Sequence, residues 1–193
     1  TVTVIGAGVA GTQSILKAVE NKAFVQVVDR SDKRLNELKS ELGDENISYI
    51  LSTDDSIRET ISKSDLVIGS VYVVGKEAPK VITKEMLSLM SPGTVMVDVS
   101  IDQGGCFETS KPTTHDDPTF IKDDIVHYCV TNMPGAVPLT ATQALNKVTL
   151  PYIENLANKG IANALEEDEH LRNGLNIKDG FITHPGVKEA LSS

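Results

Sequence analysis

The sequence predicts an α/β domain built on a doubly wound parallel sheet, followed by a C-terminal helical tail. Short apolar runs, many of them β-branched, alternate with stretches of helical period along most of the chain. This alternation is typical of βαβ units, which form parallel sheets covered by helices. A glycine-rich turn at residues 6–11, directly after the first apolar run, is the second observation that favours this fold class.

The predicted elements follow one another in a regular order. Apolar runs predict strands at residues 2–5, 24–28, 47–51, 66–68, 95–99 and 125–130. Helices are predicted through about residue 20, around residues 35–42, and over residues 54–63 and 83–90. The second helix begins at a cap formed by Ser31 or Asp32, and its Leu35, Leu38 and Leu42 share one face.

The pattern changes after about Pro138. Residues 140–159 have helical periodicity that is interrupted at Pro151, and polar residues with little strand character dominate residues 163–179. We therefore expect one domain over residues 1–137 and a helical segment over residues 138–193. This segment would pack on the first domain or on a further domain. The chain starts at Thr1 inside an apolar run, so we expect it to be a piece of a longer protein.

Composition excludes several classes of function. The 193 residues include 27 acidic and 18 basic side chains, a net charge of −9, which argues against nucleic acid and anionic membranes as partners. No apolar run approaches the roughly 18 residues of a membrane span. Two cysteines form neither a disulfide framework nor a metal motif, so no metal site is expected and a cytoplasmic, reducing location is favoured.

The glycine-rich turn has the spacing of a phosphate-binding loop. Gly6, Gly8 and Gly11 form the pattern G-x-G-x-x-G between a strand and a helix. Gly6 permits a tight turn, Gly8 lets a pyrophosphate approach the backbone, and Gly11 lets the helix pack close to the strand. The free N–H groups of the first helical turn, which includes Val9 and Ala10, then face the anion.

An acidic residue at the end of the second strand makes the pattern more specific. Asp29 lies 18 residues after Gly11, which fits the spacing of a carboxylate that binds the adenosine ribose. The two features together predict a bound dinucleotide in a Rossmann fold. A plain strand–helix turn and a methyltransferase loop share parts of the pattern. Asp29 would repel a 2′-phosphate, so NAD is favoured over NADP, although the adjacent Arg30 could attract that phosphate.

Two later strands also end in polar residues. Asp102 follows the strand at residues 95–99, and Asn132 follows the strand at residues 125–130. Because the carboxyl ends of strands line the ligand crevice of such sheets, Asp102 is a candidate for proton transfer and Asn132 for binding a carboxamide. Both residues could instead belong to ordinary turns. Asp98 lies within the strand itself and is expected to be structural.

These segments together resemble the family of alanine dehydrogenases and NAD(P) transhydrogenase alpha-subunits. The resemblance is densest between residues 65 and 152 and is carried by residues 65–69, 78–80, 99–108, 112–116, 127–138 and 149–152. Transhydrogenase subunits have a Glu-Asn-Gly-Gly type of segment where this chain has Asp102-Gln103-Gly104-Gly105. The Asp-Gln pair therefore favours the dehydrogenases.

The resemblance implies NAD-linked, reversible oxidative deamination of L-alanine to pyruvate and ammonia. By this resemblance, a hydride would pass from the alanine α-carbon to nicotinamide C4. Asp102 would be the catalytic aspartate, which acts with a histidine on water and the imine. That histidine and the substrate-binding Lys and Arg belong to the family's N-terminal substrate domain. The histidines of this chain are expected to be structural, and the family implies a homo-oligomer, often a hexamer.

The resemblance also implies the cofactor contacts. Asp29 and Arg34 would lie at the adenosine end with Ser52 near the adenine, and the ends of the later strands would flank the nicotinamide. The expected cofactor-binding residues are Gly6, Gly8, Val9, Ala10, Gly11, Asp29, Arg34, Ser52, Val71, Tyr72, Val99, Ser100, Ile101, Asp102, Val130, Thr131, Asn132 and Met133. The alternative hypothesis is a proton-translocating transhydrogenase subunit or a nucleotide-binding module without catalysis of its own.

Overall fold

The structure is a computed structural model that describes residues 1–73 and 77–192. Ser193, the last residue of the predicted tail, lies outside the described residues. The described residues divide into two compact units, one formed by residues 1–73 and 77–133 and one by residues 134–192.

The first unit alternates strands and helices. Its elements are β1 (Val2–Ile5), α1 (Val9–Glu20), β2 (Val25–Asp29), α2 (Asp32–Leu42), β3 (Ile47–Leu51), α3 (Asp54–Ile61), β4 (Leu66–Gly69), a 3-10 helix (Glu85–Leu89), β5 (Val95–Asp98), a 3-10 helix (Ile101–Gln103), β6 (Thr119–Lys122), β7 (Ile125–Tyr128) and the start of a 3-10 helix (Met133–Ala136). The second unit contains α4 (Pro138–Glu167), α5 (Glu169–Asn173), β8 (Ile177–Lys178), β9 (Phe181–Ile182) and α6 (Pro185–Ala190).

Seven strands of the described part form one sheet in the order β3-β2-β1-β4-β5-β7-β6. All neighbouring pairs are parallel except β6 and β7. The strand order reverses between β1 and β4, where Val2 pairs with Val25 on one side and with Leu66 on the other. The predicted α/β class with a doubly wound sheet is confirmed, and such a reversal point is where these sheets bind ligands.

Apolar side chains bury both faces of this sheet. Ile15 of α1 and Leu38 of α2 pack with residues of β1 and β2 in one cluster. Ile61 of α3, Met86 and Phe107 belong to the second cluster, with residues of β4 and β5. Strands that are buried on both faces read as continuous apolar runs, which explains why the sequence shows them so clearly.

The edge strand β6 was missing from the prediction, and it makes the sheet mixed rather than wholly parallel. It pairs with β7 through a hairpin whose central residues, Asp123 and Asp124, have φ values of 51° and 61°. Two successive positive φ values define the tight turn that matches strand twist, and aspartate is among the residues that tolerate it. The sixth predicted strand is also shorter than expected and ends at Tyr128.

The predicted helix over residues 83–90 was wrong in length and type, because the structure has one 3-10 segment, Glu85–Leu89. Ile82 still forms a parallel bridge with Phe107, and the Lys84 N–H donates to the Glu108 carboxylate at 2.7 Å. The turn predicted at residues 91–93 follows directly, with Gly93 at φ 86°. The contacts of Ile82 and Lys84 fix one end of this segment, and the turn at residues 91–93 fixes the other. The five residues between them therefore form only a short 3-10 helix.

In the second unit, the helix breaks at a different residue from the one predicted. Pro151 lies inside α4, where it removes one backbone donor, and the non-helical residue is Gly160, with φ 75°. The tail also contains the hairpin of β8 and β9, although little strand character was expected. Its turn is Asp179-Gly180, with φ 52° and 82°, and Asp-Gly is a strong hairpin signal that the prediction overlooked.

No helix among the described residues is long and apolar enough to cross a membrane.

Candidate functional site

A cavity of about 670 Å³ lies in the first unit, at the carboxyl ends of β1, β2, β4 and β5. Of the expected cofactor-binding residues, it is lined by Gly6, Gly8, Val9, Ala10, Asp29, Ser52, Val71, Tyr72, Val99 and Ser100. The volume falls in the range of small-molecule and cofactor sites. The cavity therefore lies where the order of the parallel strands reverses, as expected for the ligand crevice of such a fold.

The glycine-rich turn forms one wall of the cavity. Gly6 has φ 97°, a backbone conformation that other residues rarely adopt. A Cβ at Gly11 would lie 1.8 Å from the Gly6 carbonyl oxygen, so α1 packs directly against the turn. Gly8 is the N-cap of α1, and no side chain among the described residues caps this helix there. The first N–H groups of α1 are thus left to an anion.

Asp29 joins the turn to the end of β2. One oxygen of its carboxylate accepts a hydrogen bond from Ala7 N at 2.7 Å, and the other accepts from Ser31 N at 2.8 Å. Each carboxylate oxygen has further acceptor capacity, and the residue lines the cavity. This placement fits the expected role on a ribose hydroxyl. Arg30 lines the same cavity and contributes positive charge beside it.

Arg34 lies behind the turn instead of at the cavity wall. Its Nε donates to the Ala7 carbonyl oxygen at 2.9 Å, and a terminal nitrogen donates to the Thr12 hydroxyl at 3.0 Å. A second terminal nitrogen pairs with Glu37 at 3.3 Å. These contacts brace the turn against α2, and a direct contact between Arg34 and the cofactor stays a prediction.

The structure brings Asp102 and Asn132 together. The Asn132 N–H lies 3.3 and 3.4 Å from the two oxygens of the exposed Asp102 carboxylate. Asn132 has φ 51°, and its carbonyl oxygen accepts from His115 Nε2 at 3.0 Å. The ends of β5 and β7 therefore bring the Asp102 carboxylate and the Asn132 backbone N–H side by side, a contact that the sequence analysis did not predict.

Several expected cofactor contacts are not among the described residues that line the cavity. Besides Arg34, these are Gly11, Ile101, Asp102, Val130, Thr131, Asn132 and Met133. Gly11 supports the turn from beneath, while Ile101 and Val130 are buried. Asp102 belongs to a loop whose neighbouring residues Ser100 and Gln103 do line the cavity. Asp102 therefore lies next to residues of the cavity wall, and the contact of all these residues with a cofactor stays a prediction.

The cavity has further lining residues that the prediction did not include. They are Ile5, Val28, Ser70, Pro79, Val81 and Gln103, besides Arg30. Ser70 directly follows β4, and its hydroxyl donates to the Gly6 carbonyl oxygen at 2.8 Å. The rule that strand ends line the crevice could have indicated Ile5, Val28 and Ser70. Pro79 and Val81 lie in a connection between strands, for which the sequence carries no comparable signal.

The buried cysteines are placed as packing residues. Cys106 and Cys129 are fully buried and unpaired. Burial and the nearby Asp98 carboxylate raise the pKa of the Cys106 thiol, and burial raises the pKa of Cys129. Since the thiolate is the reactive form, neither side chain is suited to nucleophilic work. No group of His, Cys, Asp and Glu in the described part of the chain could hold a metal ion.

His127 is a buried structural histidine. Its Nδ1 bonds to the Ile125 carbonyl oxygen at 3.1 Å and must donate there, so Nε2 accepts from the Thr109 hydroxyl at 2.7 Å. The ring stacks on Phe120 with centroids 4.8 Å apart. Burial lowers the pKa of His127, because the charged imidazolium would lose its hydration.

This burial predicts that the chain loses stability in mild acid. Below the ordinary histidine pKa of about 6.5, the unfolded chain binds a proton that folded His127 does not bind. As the pH drops below about 6.5, this group should therefore lower the free energy of unfolding by at most about 1.4 kcal/mol per pH unit. His127→Gln should flatten this slope in urea unfolding at several pH values, whereas His170→Gln, at an exposed position on α5, should leave it in place. An unchanged slope in His127→Gln would contradict the assignment.

The open helix N-terminus, the acidic end of β2 and the cavity at the strand reversal define a dinucleotide-binding domain. The family model described as "Alanine dehydrogenase/PNT, C-terminal domain" matches residues 1–185. An alanine dehydrogenase of Halomonas elongata is 52% identical over 189 residues, which cover 98% of this chain and 51% of that protein. The chain belongs to the alanine dehydrogenase/PNT C-terminal domain family.

Solved structures agree with this assignment. The structure of an L-alanine dehydrogenase has a TM-score of 0.87 and 43% identity, covering 99% of this chain and 52% of that one. The structure of the transhydrogenase from Sinorhizobium meliloti has a TM-score of 0.74 and 24% identity, covering 95% of this chain and 49% of that one. This similarity shows that the two chains share a fold. The chain spans about half the length of the relatives that it matches.

Proposed function

We propose that this chain is the NAD(H)-binding part of an enzyme that converts L-alanine to pyruvate and ammonia. Residues 1–137 would hold the dinucleotide, and residues 138–193 would form the helical segment that follows it. The observation that carries the proposal is the cavity bordered by the uncapped N-terminus of α1 and by the Asp29 carboxylate. The identity to an alanine dehydrogenase over nearly the whole chain supports the choice of substrate.

The residues present fit a dinucleotide. Apart from the adjoining residues, a Cβ built at Gly8 has no described atom within 4 Å, so the backbone there is open to a pyrophosphate. Asp29 would accept from the ribose hydroxyls, and Val28, Val71 and Val81 offer apolar walls for the rings. The anionic cofactor would thus be held by backbone N–H groups and the helix dipole, which suits a chain of net charge −9.

Bound NAD supplies the hydride acceptor, and the residues of this chain would place it and move protons. Asp102 would take a proton from the water that attacks the imine and return it when ammonia leaves. The Asn132 N–H, within 3.4 Å of both carboxylate oxygens, would hold that carboxylate in place. The acid–base histidine and the residues that bind the substrate carboxylate would come from the remainder of the protein.

Activity measurements on two lengths of the protein test this proposal. The 193-residue chain should bind NADH but should not form NADH from NAD and L-alanine. A longer form that matches the relatives along their whole length should do both. A longer form that binds NADH but is inert with L-alanine, and with pyruvate plus ammonia, would instead favour the transhydrogenase subunit or a non-catalytic module. Robust turnover by the chain alone would contradict the need for a further domain.

A homo-oligomeric assembly remains a prediction of the family resemblance, and a cytoplasmic location remains a prediction of the cysteine content.

A further inference from the structure

The loop between β5 and Phe107 carries Asp102 and has an unusual backbone. It leaves β5 at Val99, forms the 3-10 helix Ile101–Gln103, and returns through Gly104 and Gly105 to the buried Cys106. Gly104 has φ 87° and Gly105 has φ 76°. Two successive glycines cost much conformational entropy on folding and provide no side chains to pack. Something else must therefore hold this loop in one conformation.

Asp98 holds the loop from the inside. Its side chain is fully buried, and its carboxylate accepts from Ser100 N at 3.0 Å and from Cys106 N at 2.8 Å. It also accepts from Phe107 N at 3.3 Å and from the Ser110 hydroxyl. These bonds tie the start of the loop to its end. A Cβ at Gly105 would lie 2.8 Å from a carboxylate oxygen of Asp98, so this contact also requires a glycine.

Lys80 holds the same loop from the solvent side. Its ammonium donates to the carbonyl oxygen of Gly105 at 2.6 Å and to that of Gly104. The backbone on either side of Lys80 follows the loop as well, because Ala78 N donates to Gln103 O at 2.9 Å and Val81 N donates to Cys106 O at 2.7 Å. The segment at residues 78–81 therefore lies along the returning half of the loop.

The two charged side chains hold one peptide group between them. The Gly105 carbonyl, which accepts from Lys80, and the Cys106 N–H, which donates to Asp98, belong to the same peptide bond. The ammonium thus faces the negative end of the peptide dipole, and the carboxylate faces the positive end. Hydrogen bonds to charged groups are about twice as strong as neutral ones, so this peptide is oriented from both sides.

We propose that Asp98 and Lys80 are positioning residues, which fix the Gly105–Cys106 peptide between opposite charges and thereby place the Asp102 carboxylate. The proposal rests on the proposed function, in which Asp102 handles the proton. A catalytic group must be held within about 0.5 Å of its productive position, and a displacement of about 1 Å can cost about 100-fold in rate. A loop with two glycines meets that demand only when other residues fix its backbone.

Substitution of Lys80 tests the positioning role in the longer enzyme. Lys80→Gln should lower kcat for L-alanine about tenfold, while the Kd for NADH stays within about twofold, because the loop moves and the glycine-rich turn does not. Lys80→Arg keeps the charge and can donate to both carbonyls, so it should recover most of the rate. Lys63→Gln removes a lysine paired with Glu59 on α3 and serves as the control. An unchanged kcat in Lys80→Gln, or no recovery with arginine, would overturn the proposal.

Hydrogen exchange in the 193-residue chain tests, without any turnover, whether Lys80 and Asp98 clamp the Gly105–Cys106 peptide. The Cys106 amide should exchange about tenfold faster in Lys80→Gln than in Lys63→Gln, at the same urea midpoint. Equal exchange rates would show that Lys80 does not hold this peptide and would overturn the proposal. If the longer wild-type protein had no activity with L-alanine, the proposed function would fail, and the exchange rate would still decide whether the clamp exists.

Discussion

Gly11→Ala should both destabilise the chain and abolish NADH binding. The added Cβ would lie 1.8 Å from the Gly6 carbonyl oxygen and 2.7 Å from the Ser70 hydroxyl, so α1 must move away from the turn. Such overpacking costs about 1–3 kcal/mol, more than the roughly 1 kcal/mol that alanine gains over glycine inside a helix. Urea unfolding and a fluorescence titration with NADH measure the two effects.

Gly8→Ala is the matched control, because it should weaken NADH binding while leaving the stability of the fold almost unchanged. Apart from the adjoining residues, no described atom lies within 4 Å of the added Cβ, and Gly8 has an ordinary φ of −72°. Stability should therefore change by only about 0.5 kcal/mol, in the range of a weakened N-cap. The NADH affinity should still fall at least about tenfold, since the Cβ occupies the space where the pyrophosphate approaches the backbone. Retention of full NADH affinity in both variants would show that the cofactor lies elsewhere.

The second large effect is expected from Asp102→Asn in the longer enzyme. General acid–base groups contribute about 10²–10⁴ in rate, so kcat for L-alanine should fall by about 10³. The Kd for NADH should stay within about twofold, because the glycine-rich turn and Asp29 are untouched. The asparagine keeps an oxygen that can accept from Asn132 N, so the loop should keep its shape.

Asp55→Asn is the control for that variant. It removes the same type of charge at an exposed position in the first turn of α3 and should leave turnover unchanged. If Asp102→Asn turned over L-alanine at the wild-type rate, Asp102 would have no part in the proton transfer.

The glycine-rich turn and the strands of the first unit other than β6 could be predicted from the sequence, because each depends on local rules. Runs rich in β-branched and other apolar residues marked β1, β2 and β4, and glycine spacing with Asp29 marked the cofactor turn. The positions of Asp102 after β5 and of Asn132 after β7 could be predicted as well, but the hydrogen bond between them was not.

The prediction failed where tertiary contacts decide the conformation. The segment at residues 83–90 has helical periodicity, but the bonds of Ile82 and Lys84 to the segment at 107–108 leave it only a 3-10 turn. The clamp by Asp98 and Lys80 joins residues 18 positions apart in the sequence and carries no local signal. The hairpin of β8 and β9 was missed for another reason. Its Asp179-Gly180 turn is a local sequence signal for a hairpin, but the polar composition around it was taken to indicate little strand character.

A titration of the 193-residue chain with NADH and, separately, with NADPH tests the central claim most directly. The account predicts saturable binding of NADH, followed by its fluorescence. It also predicts at least about tenfold weaker binding of NADPH, because Asp29 would face the 2′-phosphate in spite of Arg30. Equal or tighter binding of NADPH would contradict the assigned role of Asp29. The absence of saturable binding of either nucleotide would contradict the assignment of the cavity as the cofactor site.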